Sequence, residues 1–483
     1  MNTVQILPPL GESISMPPLT RRSLLALFAI MPVVGKACQP LPGQTLPEQT
    51  HYDTIVIGAG AAGLAAAQTL KDANRSVLLL EARDRVGGRV HTDYDFAPHP
   101  VELGAEFLHG ENIVTWDWVR RHRLATLAAF DHYRHQFVYA HQALQPFRQW
   151  STMPGLEALD LMNGSPIDAL IASWIDEGKP DVSLAQFLAR HQIELSPDAR
   201  RLVDHFLSGS YGANLDQLGV YGLAESTYAG DGDRYFRLRP GYSHLMAKLA
   251  VGLNIHYATP VVRIGWSPSG VQIQTDTAQT YTAQQIVITL PLALLQANAV
   301  EFTPPLPESK LKAIQGLGAG HITKLILKFD QPFWPRALES CLTTQDTQFW
   351  WRSGWQRHNE APVLTAFTGA TGADTLGALG REGSIRAGLQ QLEQIFEQPL
   401  AERLTDALFV DWQADPYARM AYSYVPVDGV GLRSQLAQPV DHVLFFAGEA
   451  THPTRAATVH GALESGDRAA REILSRHRHR SAS

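Results

Sequence analysis

Two short apolar runs between residues 50 and 85 are each followed by an abrupt change of pattern. The first, Thr54 to Ile57, reads as a β-strand and gives way to a glycine turn and an Ala- and Leu-rich helical stretch. The second, Ser76 to Leu80, ends at the acidic Glu81. The turn has the spacing GxGxxG and comprises Gly58, Gly60 and Gly63. The pattern predicts a strand, a turn, a helix and a second strand.

Such a unit is typical of dinucleotide binding. Gly58 permits the tight turn, Gly60 lets the backbone approach a pyrophosphate, and Gly63 lets helix and strand pack closely. The phosphates then meet the unpaired N–H groups of the helix start. Glu81 is expected to accept hydrogen bonds from ribose hydroxyls. Chance glycines at a strand–helix turn remain the alternative for this motif taken alone.

A third apolar run lies near the other end of the chain, in "FFAGEATHPTRAATVHGAL". The run from Phe445 enters Gly448 and Glu449, and after a polar loop a helix starts with small side chains from Thr458 to Ala462. Packing alone favours larger residues there, whereas small ones leave room for a group that is not protein. His460 is interpreted as a helix-start histidine bonded to backbone rather than a catalytic one.

Length and composition set the outer bounds. The 483 residues exceed one ordinary core, which predicts two domains or one elaborated domain. The formal charge of -7 does not indicate the positively charged surface that nucleic-acid binding needs.

The histidines and cysteines are candidate metal ligands and cross-links. The histidines of "DHYRHQFVYAHQALQPF" fall in an expected β-hairpin without a carboxylate or cysteine to complete a metal site, so no metal is expected. With only Cys38 and Cys341, no disulfide framework remains if the leader is removed at or after Cys38.

The first 50 residues have the features of an export signal and a linker. Arg21 and Arg22 precede an apolar run from Leu24 to Val34, which is too short to span a bilayer and resembles a twin-arginine signal. That signal predicts a periplasmic protein exported after folding and cofactor loading, with Cys38 as a candidate lipoprotein cleavage point. An uncleaved leader on a cytoplasmic protein is the alternative.

The segment "EARDRVGGRVHT" adds a second glycine turn with cations that an NAD site does not need. Together, GAGAAGL and EARDRVGGR resemble the FAD-binding signature of the flavin amine oxidase superfamily, in the branch of polyamine oxidases and flavin-type histone demethylases, and the similarity extends from Tyr52 to Leu474. The resemblance implies an α/β fold: a Rossmann-like FAD-binding domain of discontinuous segments and a mixed α+β substrate domain. The expected segments are 51–110, 237–319 and 433–476 for FAD, 111–236 and 320–432 for substrate, and 477–483 as a tail.

The resemblance also implies the residues that hold FAD. Thr458 to Ala462 would offer N–H groups to the flavin edge. Ala421 stands where monoamine oxidases carry the cysteine that bonds to FAD, so the cofactor is expected to be non-covalent. The implied cofactor-binding residues are Gly58, Gly60, Gly63, Glu81, Ala82, Arg83, Gly88, Arg89, Gly104, Ala105, Glu106, Val261, Trp412, Tyr417, Gly448, Glu449, Thr458 and Val459.

Lys324 is the candidate for chemistry. In "HITKLILKF" the apolar positions do not alternate cleanly, so this lysine is expected to point inward, although spacing alone leaves a solvated edge lysine open. By resemblance, Lys324 reaches the flavin N5 through a water. Trp412 and Tyr422 would line the substrate cavity. His109, with Glu106, would hold a second charged nitrogen, although a buried salt bridge is an equal interpretation of Glu106.

The implied reaction is oxidation of an amine C–N bond to an imine and then an aldehyde, with dioxygen reduced to peroxide. A polyamine-like substrate is favoured. An L-amino-acid oxidase would need an arginine for the carboxylate, which "GAEFLHG" lacks. A secondary or cyclic amine oxidase of the alkaloid type and a non-catalytic FAD-binding protein remain alternatives. The oligomeric state stays open.

Overall fold

The computed structural model describes residues 51–130, 133–147, 166–191, 195–225, 231–232 and 234–480, with the backbone alone at 133, 166–168 and 476–480. Residues 50–483 form one compact unit. The twin-arginine leader, Cys38 and His132 lie outside the described residues, so export and lipidation stay predictions. No described helix is long and apolar enough to cross a membrane.

The described strands build two large sheets and three small ones. In chain order they are β1 (His51–Ile57), β2 (Val77–Leu80), β3 (Thr92–Asp93), β4 (Val101–Glu102), β5 (Phe107–His109), β6 (Thr126–Ala129), β7 (Gln136–Ala140), β8 (Ala143–Pro146), β9 (Tyr235–Leu238), β10 (Ile255–His256), β11 (Val261–Ser267), β12 (Gly270–Thr275), β13 (Thr280–Ile288), β14 (Glu301–Thr303), β15 (Gly318–Ala319), β16 (Ile322–Phe329), β17 (Ser340–Thr343), β18 (Phe349–Arg352), β19 (Val363–Gly369), β20 (Leu404–Asp411), β21 (Ser423–Tyr424) and β22 (Leu444–Phe446).

The described helices cover these sheets. In chain order they are α1 (Ala61–Asp72), α2 (Thr115–Arg121), α3 (Pro166–Asp176), α4 (Leu184–Arg190), α5 (Pro197–Tyr211), α6 (Val220–Glu225), α7 (Tyr242–Ala250), α8 (Leu292–Gln296), α9 (Glu308–Gly316), α10 (Ala370–Phe396), α11 (Leu432–Ala437) and α12 (Val459–Arg480), with 3₁₀ turns at Tyr133–His135, Ala401–Arg403 and Glu449–Thr451.

The eight-stranded sheet brings the two ends of the chain together. Its order is β10-β2-β1-β13-β12-β11-β14, and β22 pairs with the carboxyl-terminal half of β13. Strands β10, β2, β1, β13 and β22 are mutually parallel. Ile57 is in register with Leu80 and Ile288, and Ile288 with Phe446. The glycine turn, Glu81 and Gly448 therefore leave the sheet at one edge.

Both faces of this sheet are buried, as expected of parallel strands. Ile55 and Ile57 belong to one core cluster and Val56 to the other, on the opposite face. Helices α1 and α12 cover the second face in close contact, because a Cβ added at Gly466 would lie 2.0 Å from the Ala62 carbonyl oxygen. The fold thus holds the amino-terminal and carboxyl-terminal helix starts side by side.

The seven-stranded sheet has the order β20-β16-β19-β18-β17-β7-β8. Strand β16 lies between β19 and β20 and is almost wholly buried, which explains why its apolar positions do not alternate. Helix α10 covers β16 and β20, and it is kinked at Gly380, whose φ of 65° and ψ of -179° are not helical. Strands β7 and β8 form the hairpin expected around His141.

The two large sheets draw their strands from different segments of the chain. All strands of the eight-stranded sheet come from the segments assigned to FAD, and all strands of the seven-stranded sheet come from the substrate segments. The domain boundaries themselves stay predictions, because residues 50–483 form one compact unit. The expected tail from residue 477 begins within α12, whose backbone stays helical to Arg480.

Candidate active site

A cavity of about 1550 Å³ connects the two large sheets. Its wall includes Gly58, Glu81 and Gly448 at the edge of the eight-stranded sheet, and Lys324 and Trp351 from the seven-stranded sheet. Ordinary small-molecule pockets occupy roughly 300–1,000 Å³. The cavity therefore has room for a dinucleotide and a second molecule.

The glycine turn has the geometry that a pyrophosphate site needs. Gly58 has a φ of +96°, a region that favours glycine. A Cβ added at Gly63 would lie 1.9 Å from the Gly58 carbonyl oxygen, so any side chain there would separate α1 from the turn. A Cβ added at Gly60 would come no nearer than 3.9 Å to other protein, at the Gly87 carbonyl oxygen. The backbone at Gly60 is thus open to the cavity at the start of α1.

Glu81 lies at the next strand end and is held by backbone. Its carboxylate accepts from the N–H groups of Ala59 at 2.7 Å and Arg83 at 2.9 Å. A carboxylate has about four acceptor positions, so Glu81 retains capacity for ribose hydroxyls. Ala82 and Val261 line the same end of the cavity. These residues lie together in the wall of the cavity, and their contacts with a cofactor stay predictions.

The two arginines of the second glycine turn are anchored to the carboxyl-terminal part of the chain. Arg83 forms an ion pair with Asp415, and its guanidinium lies 5.3 Å from the centre of the Tyr417 ring. Arg89 donates to the Ala421 carbonyl oxygen and, at 3.0 Å, to Glu449. Gly88 lines the cavity between them. The amino-terminal turn is therefore fixed against residues more than 300 positions away.

Glu449 links three segments beside the cavity. Its carboxylate accepts from Arg89, from the Ser423 hydroxyl at 2.7 Å and from the Ala457 N–H at 3.0 Å. Burial opposes ionisation, but Arg89 and Arg433 keep the pKa of this carboxyl below its ordinary value. Because protein donors surround the carboxylate, the Glu449 side chain is not free to contact the flavin. A contact between the cofactor and the backbone of Glu449 stays a prediction.

The start of α12 faces the same cavity. Thr458 caps the helix, since its hydroxyl oxygen accepts from the Gly461 N–H at 2.9 Å. The expectation that all N–H groups from Thr458 to Ala462 are open to the flavin is therefore wrong for Gly461 and Ala462, because both donate to Thr458. Val459 and Gly448 line the cavity beside Thr458. His460 is buried, and its Nε2 lies 3.4 Å from the Asp231 carboxylate. The expected hydrogen bond to backbone is therefore not made by Nε2.

Lys324 points inward, as predicted, and only 3% of it is exposed. The alternative of a solvated edge lysine is wrong. Its Nζ donates to the Glu102 carbonyl oxygen at 2.9 Å and to the Glu106 carboxylate at 3.1 Å, and it lies 5.3 Å from the Trp351 ring centre. Lys324 thus combines burial, an anionic partner and a position in the cavity wall, while its contact with flavin through a water stays a prediction.

Glu106 is the centre of a buried ion-pair network. Besides Lys324, its carboxylate accepts from Arg237 Nε at 2.8 Å and from the Trp351 indole at 3.0 Å. Burial opposes ionisation, but Lys324 and Arg237 keep the pKa of Glu106 below its ordinary value. The structure supports the salt-bridge interpretation. Because Lys324 and Arg237 already compensate the charge of this carboxylate, it has little charge to offer a substrate, and its predicted substrate-binding and cofactor-binding roles stay predictions.

His109 lies in the cavity wall among rings. Its imidazole centre is 5.2 Å from that of Tyr235 and 6.4 Å from that of Phe107. Burial, reinforced by the neighbouring His460, lowers the pKa of His109 to about 4. The imidazole is therefore neutral near pH 7, so it can accept a hydrogen bond from a cation but carries no charge of its own.

Trp412 and Tyr422 both lie in the wall of the cavity, which is the position predicted for them. The Trp412 indole donates to the Leu103 carbonyl oxygen at 3.1 Å, and the Tyr422 hydroxyl donates to that of Gly209. Gly104 and Ala105 lie against the same wall. Ala421 is buried next to Tyr422, and the non-covalent attachment of the cofactor stays a prediction. The catalytic and substrate roles of these residues stay predictions.

An aromatic shell around the second half of the cavity was not predicted. Neighbouring ring centres in it are 5.0–6.5 Å apart, for example in Phe107–Phe130, Trp351–Phe367 and Phe130–Trp351. The shell consists of Phe107, Phe130, Tyr235, Phe349, Trp351 and Phe367. These residues come from five separate strands or turns, so no local spacing reveals that they meet.

Two buried ionisable residues behind this shell were also missed. Arg237 in β9 pairs with Phe107 in β5, and its guanidinium lies 4.7 Å from the Phe107 ring centre. Glu102 accepts from the Thr92 hydroxyl at 2.6 Å, and burial raises its pKa to about 7. Sequence offered no signal for either, because an arginine or glutamate within a short strand is ordinarily exposed.

Comparisons with known proteins agree with this geometry. The family model for flavin containing amine oxidoreductases matches residues 61–474. Polyamine oxidase 3 of Oryza sativa subsp. japonica is 31% identical over 90% of this chain and 92% of its own length. Human lysine-specific histone demethylase 2 is 30% identical over 89% of this chain, which spans only 54% of that protein.

Solved structures share the fold. A putrescine oxidase bound to putrescine superimposes with a TM-score of 0.75 at 22% identity, covering 88% of this chain and 99% of that one. Cyclohexylamine oxidase from Brevibacterium oxydans IH-35A gives a TM-score of 0.75 at 24% identity, with the same coverage of both chains. The match of the family model over residues 61–474 and the 31% identity to polyamine oxidase 3 show that the chain belongs to the flavin-containing amine oxidoreductase family and is a flavin-dependent amine oxidase.

Proposed function

We propose that the chain oxidises the C–N bond of an amine, with FAD held non-covalently and dioxygen as the final acceptor. For a primary amine the balance is amine plus dioxygen plus water to aldehyde plus ammonia plus hydrogen peroxide, a two-electron oxidation. The observation that carries the proposal is the position of buried Lys324 in the same cavity as the glycine turn and the start of α12.

The protein's part is binding and positioning. The residues at the sheet edge fit a dinucleotide: Gly60 leaves its backbone open at the start of α1, and Glu81 has spare acceptor positions. When bound, the flavin supplies the two-electron acceptor. Ala421 offers no nucleophile, which supports a cofactor held by these contacts alone.

The reacting nitrogen must be neutral, because its lone pair assists loss of hydride from the adjacent carbon. Trp412 and Tyr422 form an apolar wall that disfavours a charged amine. His109 is neutral and can accept a hydrogen bond from the substrate nitrogen. Lys324, held by Glu106 and the Glu102 carbonyl, keeps a donor fixed at the cavity wall.

A diverse amine panel tests this proposal. Purified yellow protein should lose its flavin colour under anaerobic conditions with at least one amine and should form peroxide when air is admitted. Secondary and cyclic amines belong in the panel. If dithionite reduces the flavin but no amine does, the chain is a non-catalytic flavin-binding protein.

An L-amino-acid substrate is disfavoured by the position of Arg237. This arginine lies near the "GAEFLHG" segment, but its guanidinium is bonded to Glu106 behind the Phe107 ring and is not part of the cavity wall. Within the described part of the wall, the remaining cations are Arg83 and Arg89 of the dinucleotide end, Lys324 and Arg419. L-amino acids in the panel should give no bleaching.

The polyamine preference implied by the resemblance now has less support. It depended on Glu106 and His109 holding a second charged nitrogen, and Glu106 is engaged by three protein donors. The names of relatives, such as polyamine oxidase 3, still support it. Diamines and polyamines therefore belong in the panel beside monoamines.

A further inference from the structure

We infer that the physiological substrate is a monoamine with a bulky apolar body, and that the cavity selects against diamines and polyamines. The inference rests on the proposed amine oxidation and concerns the half of the cavity beyond the dinucleotide end. It follows from which charges the wall offers, what lines the space, and what a second ammonium group would encounter there.

The carboxylates in the described part of the cavity wall accept hydrogen bonds from other groups of the protein. Among the described residues the wall contains three, Glu81, Glu106 and Glu449. Glu81 belongs to the dinucleotide end, and Glu449 accepts from Arg89, Ser423 and Ala457. Glu106 accepts from Arg237, Lys324 and Trp351. Among the described residues of the wall, both carboxylates outside the turn at Glu81 are paired with arginine or lysine, so neither offers an uncompensated charge to a second ammonium group.

Apolar side chains form most of the rest of the described wall, with the polar residues Gln136, His205, Ser210, Tyr211 and Tyr235 among them. The aromatic shell presents Phe130, Phe349 and Trp351, whose ring centres lie 5.5–6.5 Å from one another. Beyond it, Leu188 of α4 and Val203 of α5 continue the lining with aliphatic side chains. This surface complements a hydrocarbon or aromatic ring, which would bind by removing apolar area from water.

The polar groups in this half are a poor match for a cation. His109 is neutral, and Gln136 donates its amide N–H to the Phe130 carbonyl oxygen. Ring faces would attract an ammonium group, but a cation–π contact is weaker than the hydration it replaces when no anion is nearby. Lys324 would add repulsion. A second ammonium is therefore excluded more strongly than the same chain ending in a methyl group.

Matched pairs of amines test this directly. Hexylamine is compared with 1,6-diaminohexane, and benzylamine with 4-(aminomethyl)benzylamine, by the rate of anaerobic flavin bleaching at limiting amine concentration. Each pair differs only by the distal amine. We expect the monoamine to be at least tenfold faster in both pairs, and a diamine as fast as its partner in either pair would overturn the inference.

A charge introduced at one wall position provides the second test. Gln136→Glu adds a carboxylate with almost no change of shape, and we expect it to improve diamines relative to monoamines at least tenfold. Gln145→Glu, the same change on the neighbouring strand β8 outside the cavity wall, is the control and should leave the ratio unchanged. An unchanged ratio in folded, yellow Gln136→Glu would overturn the explanation by a missing counter-charge.

Failure of the inference is distinct from failure of the proposed function. If diamines bleach the flavin and monoamines do not, amine oxidation stands and the substrate class is wrong. If no amine bleaches a flavin that dithionite reduces, amine oxidation itself fails.

Discussion

The two halves of the cavity are built in different ways. At the dinucleotide end, the predicted cofactor contacts come mostly from backbone: the open turn at Gly60, the start of α1 and the start of α12. At the substrate end, side chains from distant strands form the wall, through the aromatic shell and the network around Glu106. A backbone site constrains a few consecutive residues, whereas a side-chain site is free to vary at many scattered positions. We therefore expect cofactor identity to be fixed by local motifs and substrate choice by tertiary packing.

Gly60→Val should abolish cofactor binding at the dinucleotide end without changing the substrate end. We expect the largest effect from this variant. A side chain at this position points into open space in the protein but into the path of a pyrophosphate. We expect flavin content to fall more than tenfold, while circular dichroism and the melting temperature of the flavin-free protein stay unchanged. Normal flavin content in this variant would contradict the phosphate site.

The matched variant is Gly63→Val, whose Cβ would collide with the Gly58 carbonyl oxygen. It should lower the stability of the flavin-free protein as well, which separates a binding glycine from a packing glycine.

Glu106→Gln should damage the side-chain half through stability. The amide would keep one acceptor oxygen but place a donor NH₂ group at the other position, where Arg237 or Lys324 needs an acceptor. Lys324 would lose its anionic partner, and Arg237 would lose the nearer of its two. Removing one partner of a buried ion pair costs about 3–5 kcal/mol. Denaturant unfolding measures this loss. A change of less than about 1 kcal/mol would mean that the network contributes little to the fold.

Lys324→Met should slow chemistry while leaving the protein yellow. Glu106 keeps Arg237 and Trp351 as donors, so the fold should survive. Loss of a positioned proton-transfer group typically lowers rates by about 10²-fold or more, and stopped-flow traces of flavin reduction and reoxidation would show it. Lys328→Met is the control on the same strand, because Lys328 pairs with half-exposed Asp406 instead. Equal rates in both variants would remove Lys324 from the mechanism.

The smallest effect is expected from His321, away from the cofactor. This histidine lies between Asp411 at 2.9 Å and Asp374 at 2.7 Å, and although burial opposes the charged form, these carboxylates raise its pKa above 6.5. The folded state therefore binds the proton more tightly, so the stabilisation is complete below pH 6.5 and is lost as pH rises through the folded pKa. Because Asp374 is largely exposed, about 1 kcal/mol is expected.

The comparison that reveals this stabilisation is wild type against His321→Asn. The difference in unfolding free energy should be greatest below pH 6.5 and should shrink above it. A difference that grows with rising pH would contradict the assignment.

The same contrast explains what the sequence could reveal. The β1 and β2 runs, the glycine turn and Glu81 were predictable because they are contiguous and each residue answers a local requirement. Lys324 was assigned an inward position with the help of the family resemblance, because the spacing alone also allowed a solvated edge lysine. Trp351, Arg237 and Phe349 were not predictable, because their meeting depends on how β5, β9 and β18 are arranged in three dimensions. Glu106 was ambiguous for the same reason, since its partners come from three strands.

The most direct measurement of the central claim is the colour of the supernatant after the purified protein is precipitated with acid. If both ends of the chain hold one FAD through Gly60, Glu81 and the start of α12 without a covalent link, the supernatant will be yellow and will contain FAD in an amount close to that of the protein. A colourless supernatant, with flavin absent or retained in the pellet, would contradict the account.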